Sequence, residues 1–145
     1  MFNTVKDSIR IIQEIEEQNP EINELRQLAK TAHKSIDLPV VLSEIAVKMC
    51  GYMAVFGGTV ARLMADSNDA YSHRKFRVMG TFHSLEGSIK DREAKSLDMT
   101  IEEHKNELIK KYVADFYKSL YDDFDREIMV IQSRLKILAR EMGQP

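Results

Sequence analysis

An all-α fold built from long helices is what this chain predicts, and three observations carry the prediction. Proline occurs three times and glycine six times in 145 residues, so the chain has few points at which a helix must stop. Apolar residues recur in alternating steps of three and four over two stretches much longer than an ordinary helix. Charged residues make up 30% of the chain against 43% apolar, the balance of helices that bury only a narrow face. At this length a single domain with a real core is expected. Residues 1–38 read as an N-terminal helical pair. Residues 39–145 read as a long antiparallel helical hairpin with a short helical connection near 86–100. A homo-oligomer is expected to cover what one copy leaves open.

The first helix is expected from about Asn3 to Gln18, where Val5, Ile9 and Ile12 follow one face and Ile11 with Ile15 widen it. Asn19-Pro20 ends it and opens the next, because Asn is a good N-cap and Pro suits the first helical position. Ile22, Leu25, Leu28, Ala29 and Ala32 mark the second helix to about Ser35. Asp37 and Pro39 repeat the same punctuation.

From Pro39 to about Leu85 no further proline occurs, and Leu42, Ile45, Met49, Tyr52, Phe56, Thr59 and Leu63 form a coiled-coil-like seam. Such a helix is about 70 Å long, more than a small globule covers. Gly51, Gly57 and Gly58 interrupt it at roughly 1 kcal/mol each relative to alanine. The stripe stays in phase through them, so they predict close backbone packing. Glu86-Gly87 ends the helix, and Ser88 with Asp91 opens a short helical piece in the manner of a capping box. A second break falls at Asp98 to Thr100, after which Glu102 and Glu103 suit the positive end of a helix dipole. The last helix is expected to reach about Met142 on the stripe Ile109, Val113, Phe116, Leu120, Phe124, Ile128, Ile131, Leu135 and Leu138. Tyr112, Tyr117 and Tyr121 widen that stripe, which points to cover on more than one side. The expected oligomer contacts are Tyr52, Phe56, Leu63, Tyr117, Tyr121, Phe124 and Ile131.

Cys50 is the one cysteine, so no disulfide framework exists and a reducing, cytoplasmic setting is expected. No apolar run is read as approaching the roughly 18 residues a bilayer span needs, and the N-terminus lacks a basic flank before an apolar core. No membrane partner is therefore expected. Catalysis finds no support. His33, His73, His83 and His104 are isolated, no Glu-x-x-His pair exists, and Gly57-Gly58 lacks the lysine and hydroxyl pair of a phosphate loop. The Asp122, Asp123, Asp125 run and the Asp69, His73 pair read as solvated helix faces. No metal, cofactor or catalytic residue is assigned, and a non-enzyme is expected. The eight methionines, Met49, Met53 and Met64 among them, read as core filler.

Charge is unevenly placed. From His73 to Lys95 the chain carries Arg74, Lys75, Arg77, Lys90, Arg92 and Lys95 against Glu86, Asp91 and Glu93, a net of +3 within a chain of net charge −2. Phe76 and Phe82 lie among these charges, with Tyr71 just upstream. Cations that follow phosphate beside aromatic faces that stack bases are the means by which single strands are bound. A solvated helix with a few core-facing aromatics has the same composition. The tip of the expected hairpin places the segment outside the core.

The pattern AYSHRKF, the break EGSIKDREAKSLDMTIEEHKNE and the terminal IMVIQSRLKILARE resemble, in layout and element order, the UvsY-type recombination mediators of tailed phages. The resemblance covers about Leu42 to Met142. It implies a helical, ring-like homo-oligomer that binds single-stranded DNA and helps load a RecA-like recombinase while displacing the single-strand binding protein. It also implies that Arg74, Lys75 and Arg77 contact DNA, with Phe76 among them and Lys90, Arg92 and Lys95 near the turn. The acidic balance of this chain departs from that pattern, so binding would rest on a local patch multiplied by oligomerisation. The alternative is a non-enzymatic protein-interaction module, such as a virion assembly chaperone, a scaffold or an inhibitor of a host protein. Its support is the acidic N-terminal pair with Glu14, Glu16, Glu17, Glu21 and Glu24.

Overall fold

The computed structural model describes residues 4–143, which are helical with no strand among them. Five helices follow in order: α1 Thr4–Gln18, α2 Pro20–Lys34, α3 Pro39–Ser84, α4 Ile89–Met99 and α5 Ile101–Glu141. The all-α class and the helix boundaries agree with the sequence pattern. The expected helix start at Asn3 lies outside the described residues.

The helix junctions follow local chemistry, with one correction. Asn19 makes no side-chain cap to α2. Its amide nitrogen donates to the Ile15 carbonyl at 2.7 Å, and its amide oxygen accepts from the Thr59 hydroxyl at 3.2 Å. Asn19 therefore closes the end of α1 and ties it to α3, while Pro20 opens α2 without needing an N–H partner. Gly87 sits at φ +117°, a backbone state that favours glycine, and lets the chain turn after α3. The Ser88 hydroxyl then accepts from the Asp91 N–H at 3.2 Å and caps α4. Thr100 is buried and donates its hydroxyl to the Ser96 carbonyl at 2.6 Å, and α5 starts at the next residue.

The chain divides into two compact units, and α3 and α5 contribute to both. One joins Gln13–Val60 to the chain from Tyr117 onward. Its core holds Ile22, Leu25, Met49, Phe56 and Tyr117 with no exposed surface, and Leu42, Ile45, Phe124, Ile128 and Ile131 with very little. Phe56 lies 6.2 Å from the ring of Tyr117, 5.8 Å from Tyr121 and 6.0 Å from Phe124, in edge-on or tilted contacts that suit aromatic quadrupoles. A Cβ at Gly57 would stand 3.5 Å from the Tyr121 ring, an ordinary van der Waals contact with a side chain, so the expected close packing of backbones is not seen there. At Gly51 and Gly58 a Cβ would meet nothing within 4 Å. Tyr117 takes the core place that the expected stripe gave to Phe116, which is 41% exposed. The reason is phase: Val113, Tyr117, Leu120 and Phe124 keep the three-and-four rhythm without it. Arg26 bonds Glu16 at 2.7 Å, and Arg134 reaches the Ile36 carbonyl at 3.1 Å and the Asp37 carboxylate at 2.5 Å.

The other unit joins the chain up to Ile12 to Ala61–Phe116. Its buried side chains are small: Ala70, Val113 and Ala114, with Ser8, Thr81, Ser96 and Thr100. Ion pairs supplement this thin core. Arg74 pairs with Glu107, Arg77 with Glu103 at 3.3 Å, and Lys105 with Asp7 at 3.7 Å. In the first two pairs the numbers rise along α3 as they fall along α5, so these segments run in opposite directions.

One expectation about α3 is overturned. Pro39–Ser84 contains an 18-residue window of mean hydropathy 1.5 with two or fewer charged residues, enough by length and composition to cross a membrane. Glycine and alanine break up the large side chains without adding charge, which hid the run from a count of bulky apolar residues. A third of that window is buried, so much of its apolar surface faces outward.

Candidate nucleic-acid interface

The basic segment falls entirely within the unit that contains Ala61–Phe116, on the last turns of α3 and on α4. Helical spacing sorts its side chains. Arg74 and Arg77 lie three residues apart on the α3 face turned to α5, where Glu103 and Glu107 stand one turn apart to receive them. Arg74 is 24% exposed and Glu107 14%, a partly buried pair. A backbone hydrogen bond at Glu103, and then Arg77, hold the Glu103 carboxyl below the usual carboxylate range. Asp98, Glu102, Glu103 and Glu107 against Lys105 extend the segment to net zero charge. Two of the predicted DNA-contacting arginines are thus already matched by carboxylates.

Of the remaining members, Lys75, Phe76, Lys90 and Lys95 stand open. Phe76 is 79% exposed, more than any other large apolar side chain described, and Lys75 beside it is exposed as well. Lys90 and Lys95 are exposed on α4. Tyr71 carries two cations over its ring, Arg74 at 5.5 Å and Lys75 at 5.9 Å. Arg92 lies closer still to an aromatic face, 4.5 Å from the centroid of Phe82. Its Nε is buried and has no hydrogen-bond partner, a state shared among the described residues only with Glu21 Oε1.

Beside that stack lies an open groove of about 370 Å³, lined by Val78, Met79, Phe82, His83, Glu93, Ser96 and Leu97. Neither the groove nor the Arg92–Phe82 stack was foreseen. The only sequence signal was the presence of both residue types near one turn, which does not fix their contact. Glu103 and Glu107 were read as helix-dipole residues or not singled out at all. Their i, i+4 spacing opposite an i, i+3 arginine pair was the available signal.

The residues expected at an oligomer contact divide by burial. Phe56, Tyr117, Phe124 and Ile131 are core side chains of their unit, whereas Tyr52, Leu63 and Tyr121 are half-buried. Burial pushes the Tyr117 phenol well above its usual range, and the nearby Glu16 carboxylate adds to the shift. The open apolar surface of α3 in that unit is made instead by Val40, Val47 and Val55, at 71%, 70% and 59% exposure. Cys50, Gly51, Ala54 and Gly58 are exposed between them. Among the described residues no group of three or more His, Cys, Asp or Glu side chains stands ready to hold a metal ion. Compared with known proteins, the chain matches no family model, no curated protein and no solved structure.

Proposed function

We propose that this protein is a non-enzymatic accessory factor for DNA recombination or replication that binds single-stranded DNA as a homo-oligomer and assists recombinase loading. The observation that carries this reading is Phe76, 79% exposed between Lys75 and Arg77 in a unit that also exposes Lys90 and Lys95. An aromatic face so open has no role in the core of its unit. Beside cations it has the form of a stacking platform. In this reading α3 and α5 make a long antiparallel hairpin with α4 at its tip. Lys75, Lys90 and Lys95 meet phosphate, and Arg74 and Arg77 hold the tip together.

Phosphate contacts by Lys75, Lys90 and Lys95 give each copy a salt slope of about −2 on a single strand, too weak alone at physiological salt. Several copies engaging one strand raise the effective concentration and make the binding useful. The apolar surface of α3 at Val40, Val47 and Val55 is then the contact between copies. The partners are single-stranded DNA, further copies of the chain, and a RecA-like recombinase or single-strand binding protein, in the cytoplasm of a bacterial host. Fluorescence anisotropy with labelled single and double strands tests this on wild type and on Lys75→Ala/Phe76→Ala/Lys90→Ala. Affinity for the single strand should fall at least tenfold with the oligomer intact. Equal affinity would remove the reading.

A second reading, a protein-interaction module without DNA, is favoured by the net neutrality of residues 73–107 and by the open face of α3. Purification from infected cells separates the two. Recombinase or single-strand binding protein in the eluate supports the first, and capsid or tail components support the second.

A further inference from the structure

Two seams run along α3. One is the buried row Leu42, Ile45, Met49 and Phe56. The other faces solvent: Val47, Gly51, Ala54 and Gly58 recur in steps of four, three and four, and all of them are exposed. An outer row of that period is the form in which one long helix meets another. Val47 is 70% exposed, and Val55 beside the row is 59% exposed. A Cβ at Gly51 or Gly58 meets nothing within 4 Å, so neither glycine makes room for another part of the described chain. Both still weaken the helix relative to alanine. A backbone approaching from outside the chain gives them a use.

The charges beside this row select the occupant. Glu44, Lys48 and Arg62 are exposed on the same helix, within a turn of its ends or along its flank. A bilayer core accepts such charges only at a cost, whereas a second helix can match them. We propose that this face receives the same face of a second copy, with the two α3 helices antiparallel and Val47 of one opposite Gly58 of the other. Gly51 then falls opposite Ala54 of the second copy, so small side chains line the whole approach. Glu44 comes beside Arg62 of the second copy, and the Lys48 stem lies along Val55. The relation is two-fold, so each contact occurs twice. A parallel pair would instead set Glu44 against Glu44, with Val47 on Val47 and Gly58 on Gly58. An antiparallel pair shifted by one heptad sets Lys48 against Lys48 in one direction and against Arg62 in the other. Like charges at these positions act against both shifts. This pairing deepens the homo-oligomer of the reading above and rests on it. It uses neither Lys75, Phe76 nor α4.

The test is disulfide trapping in the full-length chain. Cys50→Ser first removes the exposed native thiol. Val47→Cys and Gly58→Cys are then made separately in that background, checked for helix content by circular dichroism, and mixed in a glutathione redox buffer. Cysteines link only when their Cα atoms lie within about 7 Å. The mixture should give the Val47→Cys to Gly58→Cys disulfide as its main product. Neither protein alone should link, because like positions then stand about 16 Å apart along the axis. Val47→Cys linking to itself would overturn the antiparallel direction. An oligomer by light scattering with no mixed disulfide would overturn this pairing and leave the homo-oligomer, and any DNA binding, in place. A monomer that cosediments with phosphatidylcholine vesicles would give the face to lipid. A monomer that does not would remove the homo-oligomer itself, and the pairing with it.

Discussion

Arg74 of α3 and Glu107 of α5 form an ion pair that is more buried than the other helix-to-helix pairs of its unit, with 24% and 14% of the side chains exposed. Burial on this scale offsets much of the attraction in the complete pair but makes it costly to remove one partner. Glu107→Ala should therefore destabilise the protein by about 1–3 kcal/mol, since it strands the Arg74 guanidinium. The double change with Arg74→Ala should cost less than the two single changes added together. Urea unfolding of the four proteins measures the coupling. A strictly additive result would mean that the pair does not hold the unit together.

The buried Tyr117 phenol predicts an alkaline limit to stability. Burial first, and the Glu16 carboxylate second, raise its ionisation above the usual value of 10.0, with Arg26 opposing. The unfolded chain then loses this proton at lower pH than the folded one. Stability from this group is complete below about pH 10 and declines as pH rises further. Tyr117→Phe should lose less stability between pH 9 and 11 than wild type does, as measured by urea midpoints at each pH. The same decline in both proteins would show that the phenol ionises as easily when folded.

Gly51 and Gly58 predict a divided effect. A Cβ at either position meets nothing within 4 Å, so Gly51→Ala/Gly58→Ala should stabilise the isolated helix by about 0.5–1 kcal/mol per site. If this face is where copies meet at close range, the added methyl groups should also lower the oligomer mass seen by light scattering. Greater stability with an unchanged mass would place the contact elsewhere.

Much of the fold was legible because helices announce themselves through spacing and punctuation. Pro20, Pro39 and Gly87 set boundaries, and the seam Leu42, Ile45, Met49 and Phe56 went inside as its period required. The exchange of Phe116 for Tyr117 shows the limit. Adjacent aromatics differ by 100° around a helix, and a pattern that tolerates steps of three or four accepts either. Asn19 was misread for a related reason. Its acceptor role depends on Thr59, forty positions away, and no local rule reaches that far.

The candidate site was legible only in part. Composition located Lys75, Phe76, Lys90 and Lys95, which remain exposed. It missed that Arg74 and Arg77 are met by Glu107 and Glu103, because matching charges on two helices needs their register as well as their sequence. The stack of Arg92 on Phe82 and the groove beside it depend on how α4 packs, which periodicity alone does not set.

Whether the open cations of this protein engage a single strand is read from the salt dependence of binding by wild type. The logarithm of affinity should fall linearly with the logarithm of salt concentration, with a slope of about −2 for each engaged copy. An oligomer should therefore show a multiple of that slope and a preference for single over double strands. No measurable binding at low ionic strength, or binding indifferent to salt, would contradict that engagement.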